Sequence, residues 1–403
     1  MHNDDHSVWK DTTEAPTFAP LTGDTSADVC VVGAGIGGLT TAYMLLREGK
    51  SVVVIDGQGI GAGETGRSTA HLFPPDERFA DIEPHFGSDK LRLVADSFRR
   101  ATDCVEAIIR IERIDCEFER LPGFLFNRSG RWDTVLEREY AVTTRLGMNV
   151  RRFERIPGLY FDSGPCLRFD AQAQFHPLKY VHGLARAITR LGGRIHDHTL
   201  AEDVRGGERL AVHCAQGAVE AKSVVVATNT PFQARLLKGK QDAYRSYVLG
   251  LRVPKDAIPR LLMWDTGTPY YYVRLAGAGD GAAHELLLVG GQDRKHDHEQ
   301  FADERYENLE AWARARFPMA GEVDYRWSGL VMEPTDGLAY LGRNAGDEGD
   351  IYIITGDSGN GMTHCTAGAM LVTDLILGRP NTWSALYSPA RAAFHGSASF
   401  SGW

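Results

Sequence analysis

The sequence is poor in the features that would tie a chain to a membrane, a nucleic acid or a disulfide framework. No apolar run approaches the roughly 18 residues of a membrane span, and Met1 to His6 carry neither a basic region nor an apolar core. The expectation is a cytoplasmic protein. Lys and Arg number 44 against 53 Asp and Glu, a net charge of −9. No long basic run interrupts that balance, which argues against a nucleic-acid partner. The six cysteines, at 30, 104, 116, 166, 214 and 365, form no Cys-x-x-Cys pair. Neither a disulfide framework nor a metal or redox site of that kind is expected, and the thiols read as buried. Lys295-His-Asp-His298 reads as a charged, solvated turn, so no metal site is expected. No internal repeat is visible.

Glycine is abundant, 44 of 403 residues, and it is concentrated where it carries meaning. Residues 28 to 56 hold an apolar run, Val29 to Val32, then glycines at 33, 35 and 38, then a helical pattern through Leu39, Ala42, Leu45 and Leu46. This reads as strand, tight turn and helix. Gly33 lets the turn be sharp, Gly35 lets the backbone approach a pyrophosphate, and Gly38 lets helix and strand pack closely, with the phosphates on the helix N-terminus. A second strand, Ser51 to Ile55, ends in Asp56, whose carboxylate is placed to accept from the hydroxyls of an adenosine ribose. The motif predicts an ADP-containing ligand.

The next stretch, Gly57 to Leu72, is too rich in glycine for a helix or a strand. Such a loop suits backbone lying close against a flat ligand. An NAD dehydrogenase needs nothing of the kind after its second strand, whereas an FAD enzyme needs it to follow the dinucleotide toward the isoalloxazine. FAD is therefore the expected cofactor, with Gly63, Thr65, Arg67, Ser68, Thr69 and His71 as the loop's contacts.

Before this core lie about 26 polar and proline-containing residues, with Trp9 and Phe18, read as an extended arm ordered by lying on the body. Helices are expected over 89–112, 132–147, 177–190 and 299–317, the third opened by Pro177. Short strands run over 193–226 and lead to Val224 to Pro231, with Ala227 as a cofactor contact. A β-rich insertion follows over 244–291. Near the end, Ile351 to Gly356 reads as a strand running into Asp357-Ser-Gly-Asn-Gly-Met-Thr-His364 and an apolar helix. This second glycine loop and helix N-terminus suits partial negative charge on a flavin ring, with Asp357, Gly359, Asn360, Gly361 and Met362 as contacts.

Four segments together resemble the FAD-dependent amine and amino-acid oxidoreductases of the D-amino acid oxidase superfamily, which includes glycine oxidase, sarcosine oxidase and dimethylglycine dehydrogenase. They are Gly33 to Gly38 with Asp56, Glu64 to His71, Val224 to Pro231, and Trp327 to Arg343 with Thr355 to Thr363. The wording of two of them is similar to a bacterial branch often fused to a C-terminal Rieske iron–sulfur domain. No Cys-x-His with a following Cys-x-x-His occurs here, so that domain is expected to be absent or removed.

The resemblance implies an α/β fold: a Rossmann-like FAD-binding domain beside a mostly antiparallel α+β substrate domain. The FAD domain is expected in three pieces, 27–112, 165–240 and 325–390, with 113–164 and 241–324 forming the substrate domain, 1–26 the arm and 391–403 a tail. It also implies oxidation of a C–N bond by hydride transfer to the flavin, giving an imine that water hydrolyses, with oxygen or a protein or quinone as electron acceptor. The substrate is expected to be a small amine or amino-acid-like molecule. Two other readings stand beside it: a D-amino acid or glycine-type oxidase with a relocated arginine, and a flavin electron-relay subunit.

Departures from the family pattern refine this. Val331 stands where the amino-acid oxidising relatives carry a carboxylate-gripping arginine, and Thr363 where sarcosine-oxidising relatives carry a lysine. The oxygen-activating lysine of those relatives falls at Leu287 or Leu288. The substrate is therefore expected to be an amine or N-alkylated compound, unless Arg252, Arg274 or Arg326 has taken over the carboxylate. Tyr247, Tyr270, Tyr271 and Tyr272 lie in the insertion that roofs the substrate, where alternation sends Tyr271 to the face opposite Tyr270 and Tyr272. Tyr247, Arg252, Tyr272 and Thr363 are the candidate catalytic residues. Ser68-Thr-Ala-His71 resembles the segment whose histidine bonds covalently to flavin in dimethylglycine dehydrogenase relatives, although non-covalent FAD is the preferred reading.

Overall fold

The computed structural model describes residues 6–72, 79–206, 209–231, 237–279, 281–295, 302–344 and 349–392. A short helix α1 (Val8–Asp11) precedes strand β1 (Thr25–Val32), helix α2 (Ile36–Arg47), strand β2 (Val52–Ile55) and the two-residue β3 (His71–Leu72). Helix α3 (Phe79–Glu112) is followed by β4 (Glu119–Phe126), α4 (Thr134–Arg145), β5 (Val150–Phe153), β6 (Cys166–Gln174) and α5 (Pro177–Arg190). Four strands come next, β7 (Arg194–His196), β8 (Ala201–Arg205), β9 (Leu210–Cys214) and β10 (Gly217–Asn229). The insertion supplies β11 (Gln241–Pro254), β12 (Leu262–Asp265), β13 (Tyr271–Gly277), β14 (His284–Lys295) and α6 (Ala302–Arg316). The chain closes on β15 (Val323–Pro334), β16 (Tyr340–Arg343), β17 (Asp350–Thr355), α7 (Gly361–Ile376) and α8 (Ser384–Tyr387).

Two sheets organise these elements. The first runs β16-β17-β10-β1-β2-β7, parallel throughout except for β16, with β8 and β9 folded against β10 as an antiparallel meander. Its central strands are apolar on both faces because both are covered. Val29, Val31 and Val54 pack with α2, α5 and α7, while Cys30, Val32, Val53 and Ile55 pack under Leu210 and Val212 of the meander. The second sheet runs β15-β11-β14-β13-β12-β4-β6-β3, antiparallel except for β12 beside β4. One of its faces carries Leu249, Leu251 and Val253 under Leu309 and Trp312 of α6; the other carries Val248, Leu286 and Leu288 toward the larger core. The fold is thus the expected α/β class.

Local differences from the sequence reading have physical causes. The helix expected at 89–112 begins earlier, at Phe79, as two helical pieces joined at Gly87, whose φ of +75° only glycine adopts freely. The expected helix at 299–317 is described from Ala302, and His296 and His298 lie outside the described residues. The arm is not simply extended: it contains α1, with Val8 and Trp9 buried in the main core. The nine-stranded sheet also draws in β3, β6 and β15, which lie in segments expected to serve the dinucleotide domain. All six cysteines are free thiols, and burial pushes those of Cys116 and Cys166 up to about 12.

Candidate active site

A cavity of about 470 Å³ lies between the two sheets, walled by both glycine loops. At one end β1 turns into α2. Gly33 has φ +109°, and a Cβ there would lie 2.5 Å from Ala227 O of the neighbouring β10. At Gly38 a Cβ would lie 1.9 Å from Gly33 O, so this glycine serves the helix–strand contact and does not line the cavity. Gly35 does line it, and a Cβ there would meet only Thr65 Oγ1, at 3.0 Å. That hydroxyl accepts from Ile36 N at 3.0 Å, at the start of α2. Asp56 is fixed at the same end by three amides: Oδ2 accepts from Ala34 N at 2.7 Å, and Oδ1 from Gln58 N at 2.8 Å and Gly59 N at 2.9 Å.

The loop after β2 supplies the long wall. Gly63, Thr65, Arg67, Ser68, Thr69 and His71 all line the cavity. Arg67 Nη1 donates to Ser328 O at 3.1 Å. His71 is buried, with Nδ1 3.0 Å from Thr69 Oγ1 and its ring edge-on to Tyr272 at 5.5 Å. Burial, and then the Arg274 guanidinium behind it, hold its pKa well below the usual imidazole range, so His71 is neutral.

The opposite wall is the turn into α7. Ala227, Asp357, Gly359, Gly361 and Met362 line the cavity, whereas Asn360 and Thr363 do not. Asn360 caps α7, its Nδ2 donating to Ser358 O at 3.3 Å, and Thr363 is fully buried. The helical phase explains this, since Gly361, Met362, His364 and Cys365 share the cavity-facing side of the first turn and Thr363 turns away. Thr363 as a substrate contact is therefore corrected. Asp357 Oδ1 accepts from Met332 N at 3.1 Å. Burial, with the Glu64 carboxylate nearby, pushes its carboxyl up to about 7.

The remaining end is roofed by the second sheet. Ser246, Val248, Tyr270, Tyr272, Leu330 and Val331 line it. Tyr270 and Tyr272 lie 5.7 Å apart, and Tyr272 fits because a Cβ at Gly290 would fall 2.1 Å from its ring. Tyr271 faces the other side and stacks on Trp312 at 4.7 Å. Tyr247 is corrected for the same reason. Alternation along β11 sends Ser246 and Val248 to the cavity and Tyr247 to the far face, where it meets Tyr306 edge-on at 5.4 Å. The three candidate arginines also lie elsewhere. Arg252 is at the surface with Asp324 at 2.6 Å, and Arg326 pairs with Asp303 at 3.5 Å. Arg274 is buried behind the loop on the carbonyls of Thr69, Ala70 and Phe175, and burial presses its pKa down to about 9.

Some lining residues escaped the sequence reading. Glu64, whose Oε2 accepts from Leu330 N at 2.7 Å, sat inside a recognised motif without being singled out. His364 and Cys365 continue the second loop by one helical turn. Leu200, beside Asp56, carried no local signal at all.

These features have the form of a dinucleotide flavin site: bare backbone at Gly33 and Gly35, a carboxylate at the end of the second strand, and two helix N-termini on one cavity. Comparison with known proteins decides the family. The model of the family described as DAO, FAD dependent oxidoreductase, matches residues 28–375. This chain belongs to that family. As an FAD dependent oxidoreductase it is 29% identical to a "Putative Rieske 2Fe-2S iron-sulfur protein YhfW" of Bacillus subtilis (strain 168), over 96% of this chain and 76% of that protein. It is 26% identical to gamma-glutamylputrescine oxidoreductase of Escherichia coli (strain K12), over 94% of this chain and 90% of the relative. Among solved structures, glycine oxidase from Geobacillus kaustophilus superposes with a TM-score of 0.76, covering 91% of this chain and 99% of that one at 19% identity. The oxidoreductase has no helix long and apolar enough to cross a membrane among the described residues.

Proposed function

We propose that this FAD-dependent oxidoreductase oxidises the C–N bond of a small amine or N-alkylated amine that lacks an α-carboxylate. FAD supplies the hydride acceptor, and the resulting imine is hydrolysed by water. The observation that carries the reading is the aliphatic lining beside Tyr270 and Tyr272 at the roofed end: Val331, Leu330 and Val248 stand where a carboxylate would need a fork of donors. The tyrosine pair offers ring faces to an alkylammonium group. His71, held neutral, does not repel a cation. A relative named for gamma-glutamylputrescine supports an amine as substrate, with the carboxylate of that compound confined to its glutamyl end.

One observation favours a second reading, a glycine-type or D-amino acid oxidase. Arg67 is the lining residue with a guanidinium among the described residues. In that reading it replaces Arg252, Arg274 and Arg326 as the carboxylate partner. Electrons pass on to oxygen or to a protein or quinone acceptor; Leu287 and Leu288, both fully buried, offer no cation to assist oxygen. FAD is held without a covalent bond. The domains divide as 27–112, 165–240 and 325–390 for FAD and 113–164 and 241–324 for substrate, except that β3, β6 and β15 join the substrate domain's sheet. Six free thiols support a reducing, cytoplasmic compartment.

The test is a matched anaerobic panel in which each amine is offered with and without an α-carboxylate and flavin reduction is followed. Faster reduction by the amine lacking the carboxylate supports the proposal. Reduction by α-amino acids alone moves the assignment to the Arg67 reading, and reduction by neither leaves only the electron-relay reading.

A further inference from the structure

Five consecutive backbone carbonyls of the cavity loop are held by side chains that themselves stay out of the cavity. Ser7 Oγ donates to Gly66 O at 2.7 Å, Trp327 Nε1 to Arg67 O at 2.6 Å, and Trp9 Nε1 to Ser68 O at 2.8 Å. Arg274 Nη1 donates to Thr69 O at 2.6 Å and to Ala70 O at 3.3 Å. The side chains of Arg67, Ser68 and Thr69 in this same stretch line the cavity, and none of the four donors does. One face of the loop is therefore gripped, and the other is presented to the cofactor.

Little in the loop itself explains its shape. Its own bonds make only short local turns, Ala62 N to Gly59 O at 3.1 Å, Gly66 N to Gly63 O at 3.1 Å and Ser68 N to Glu64 O at 2.9 Å, with Ala70 N on Ser68 Oγ at 3.0 Å, and Ala70 sits at φ +54°, a left-handed conformation that a non-glycine residue adopts at a cost. Such a loop loses conformational entropy when it is fixed, and whatever fixes it beforehand spares the ligand that cost.

Two of the four donors come from the arm ahead of β1, and the arm is itself docked in detail. The Trp9 ring lies under the Arg274 guanidinium at 5.3 Å and edge-on to His176 at 4.8 Å. His176 Nδ1 accepts from Lys179 N at 3.1 Å, so its Nε2 carries the proton and donates to Thr12 Oγ1 at 2.8 Å. Thr12 Oγ1 in turn donates to Val8 O at 2.8 Å. This chain of bonds fixes α1 against the start of α5 and aims Ser7 and Trp9 at the loop.

We propose that the segment Ser7–Thr12 is a positioning element for the cofactor: docked on the back of residues 66–70 with Arg274 and Trp327, it sets the loop in its FAD-receiving shape before FAD arrives. The inference rests on the reading of this cavity as the FAD site. Neither Ser7 nor Trp9 touches the cofactor; both act through the loop.

The experiment uses the double variant Ser7→Ala, Trp9→Phe, which removes two donors while keeping an aromatic ring against Arg274 and His176. Loss of a buried hydrogen bond corresponds to roughly tenfold in an equilibrium constant. The diluted holoenzyme of the double variant is expected to release FAD at least tenfold faster than wild type, read as a rise in flavin fluorescence. Amides 66–70 of its apoprotein are expected to exchange hydrogen faster. Ser7→Thr, which keeps the hydroxyl, restores wild-type release. Ser163→Ala is the control, because it removes a buried bond to Ile156 N at 2.8 Å away from the loop; it lowers the melting temperature and leaves FAD release unchanged. A double variant with lowered melting temperature but FAD release and loop exchange within twofold of wild type overturns the proposal. Should that variant not accumulate, Ser7→Ala alone is judged by the same two readouts. A wild-type protein that binds no FAD overturns this proposal and the cavity assignment together, whereas unchanged release in the variant overturns this one alone.

Discussion

Gly35→Val separates binding from folding more cleanly than any other change at the first loop. Gly35 sits at φ −80°, ψ −174° as the N-cap of α2, extended backbone in which a β-branched residue is comfortable. Its added Cβ meets nothing within 4 Å except Thr65 Oγ1 at 3.0 Å, and shifting that hydroxyl costs its bond from Ile36 N, about 1 kcal/mol. The fold therefore loses little, and the melting temperature of the apoprotein is expected to stay within a few degrees of wild type. The two methyl groups, however, occupy the surface that a pyrophosphate must approach, and displacing it forfeits two or so charge-assisted amide bonds. At about 1.5–3 kcal/mol each, the loss is about 3–6 kcal/mol, or roughly 10²- to 10⁴-fold in Kd. Titration of apoprotein with FAD, followed by flavin fluorescence, checks this. Gly35→Val protein that copurifies with stoichiometric FAD would refute the placement of the phosphates.

Other expectations follow from the same geometry. Asp357 carries its proton up to about pH 7 in the folded protein, against an ordinary carboxyl value near 4. The folded state thus binds this proton more tightly than the unfolded one; the stabilisation is present below about pH 4 and is lost as pH rises to 7, a span of about 4 kcal/mol. Asp357→Asn is expected to flatten that slope in thermal melts and to raise stability at pH 8; an unchanged slope contradicts the assignment. Tyr272→Ala removes one ring of the pair at the roofed end, and about 1–2 kcal/mol of cation–π attraction predicts a roughly tenfold weaker apparent affinity for a cationic amine. An unchanged KM would place the amine elsewhere. Acid denaturation is expected to release FAD into solution, and flavin that stays with the precipitated chain would point to a bond at His71.

Much of this architecture was legible because chemistry forces particular residues. The turn at Gly33, the packing at Gly38 and the carboxylate at Asp56 are demanded by any strand–turn–helix that cradles a dinucleotide, and the structure places Gly33 and Asp56 at one cavity end with Gly38 packed against the Gly33 carbonyl outside it. The loop 63–71 was legible from its glycines. What stayed hidden depended on phase and on distance in sequence. Alternation told that Tyr271 and Tyr272 face opposite ways, but Tyr247 lies on a different strand, and only the register of β11 against β14 shows that its partner face belongs to α6. Thr363 sat in the right motif and on the wrong side of a helix turn. The four-residue α1 is too short for any periodicity, so the grip of Trp9 on Ser68 O, across 59 residues, left no local trace.

A single anaerobic turnover decides whether amine oxidation takes place at this FAD site. Purified holoenzyme is mixed with an excess of an N-alkylated amine, and both the bleaching of oxidised flavin and the carbonyl product of imine hydrolysis are quantified. Complete bleaching with one carbonyl product per flavin is expected. A flavin that stays oxidised across the amine panel, or that bleaches with no carbonyl product, would contradict it.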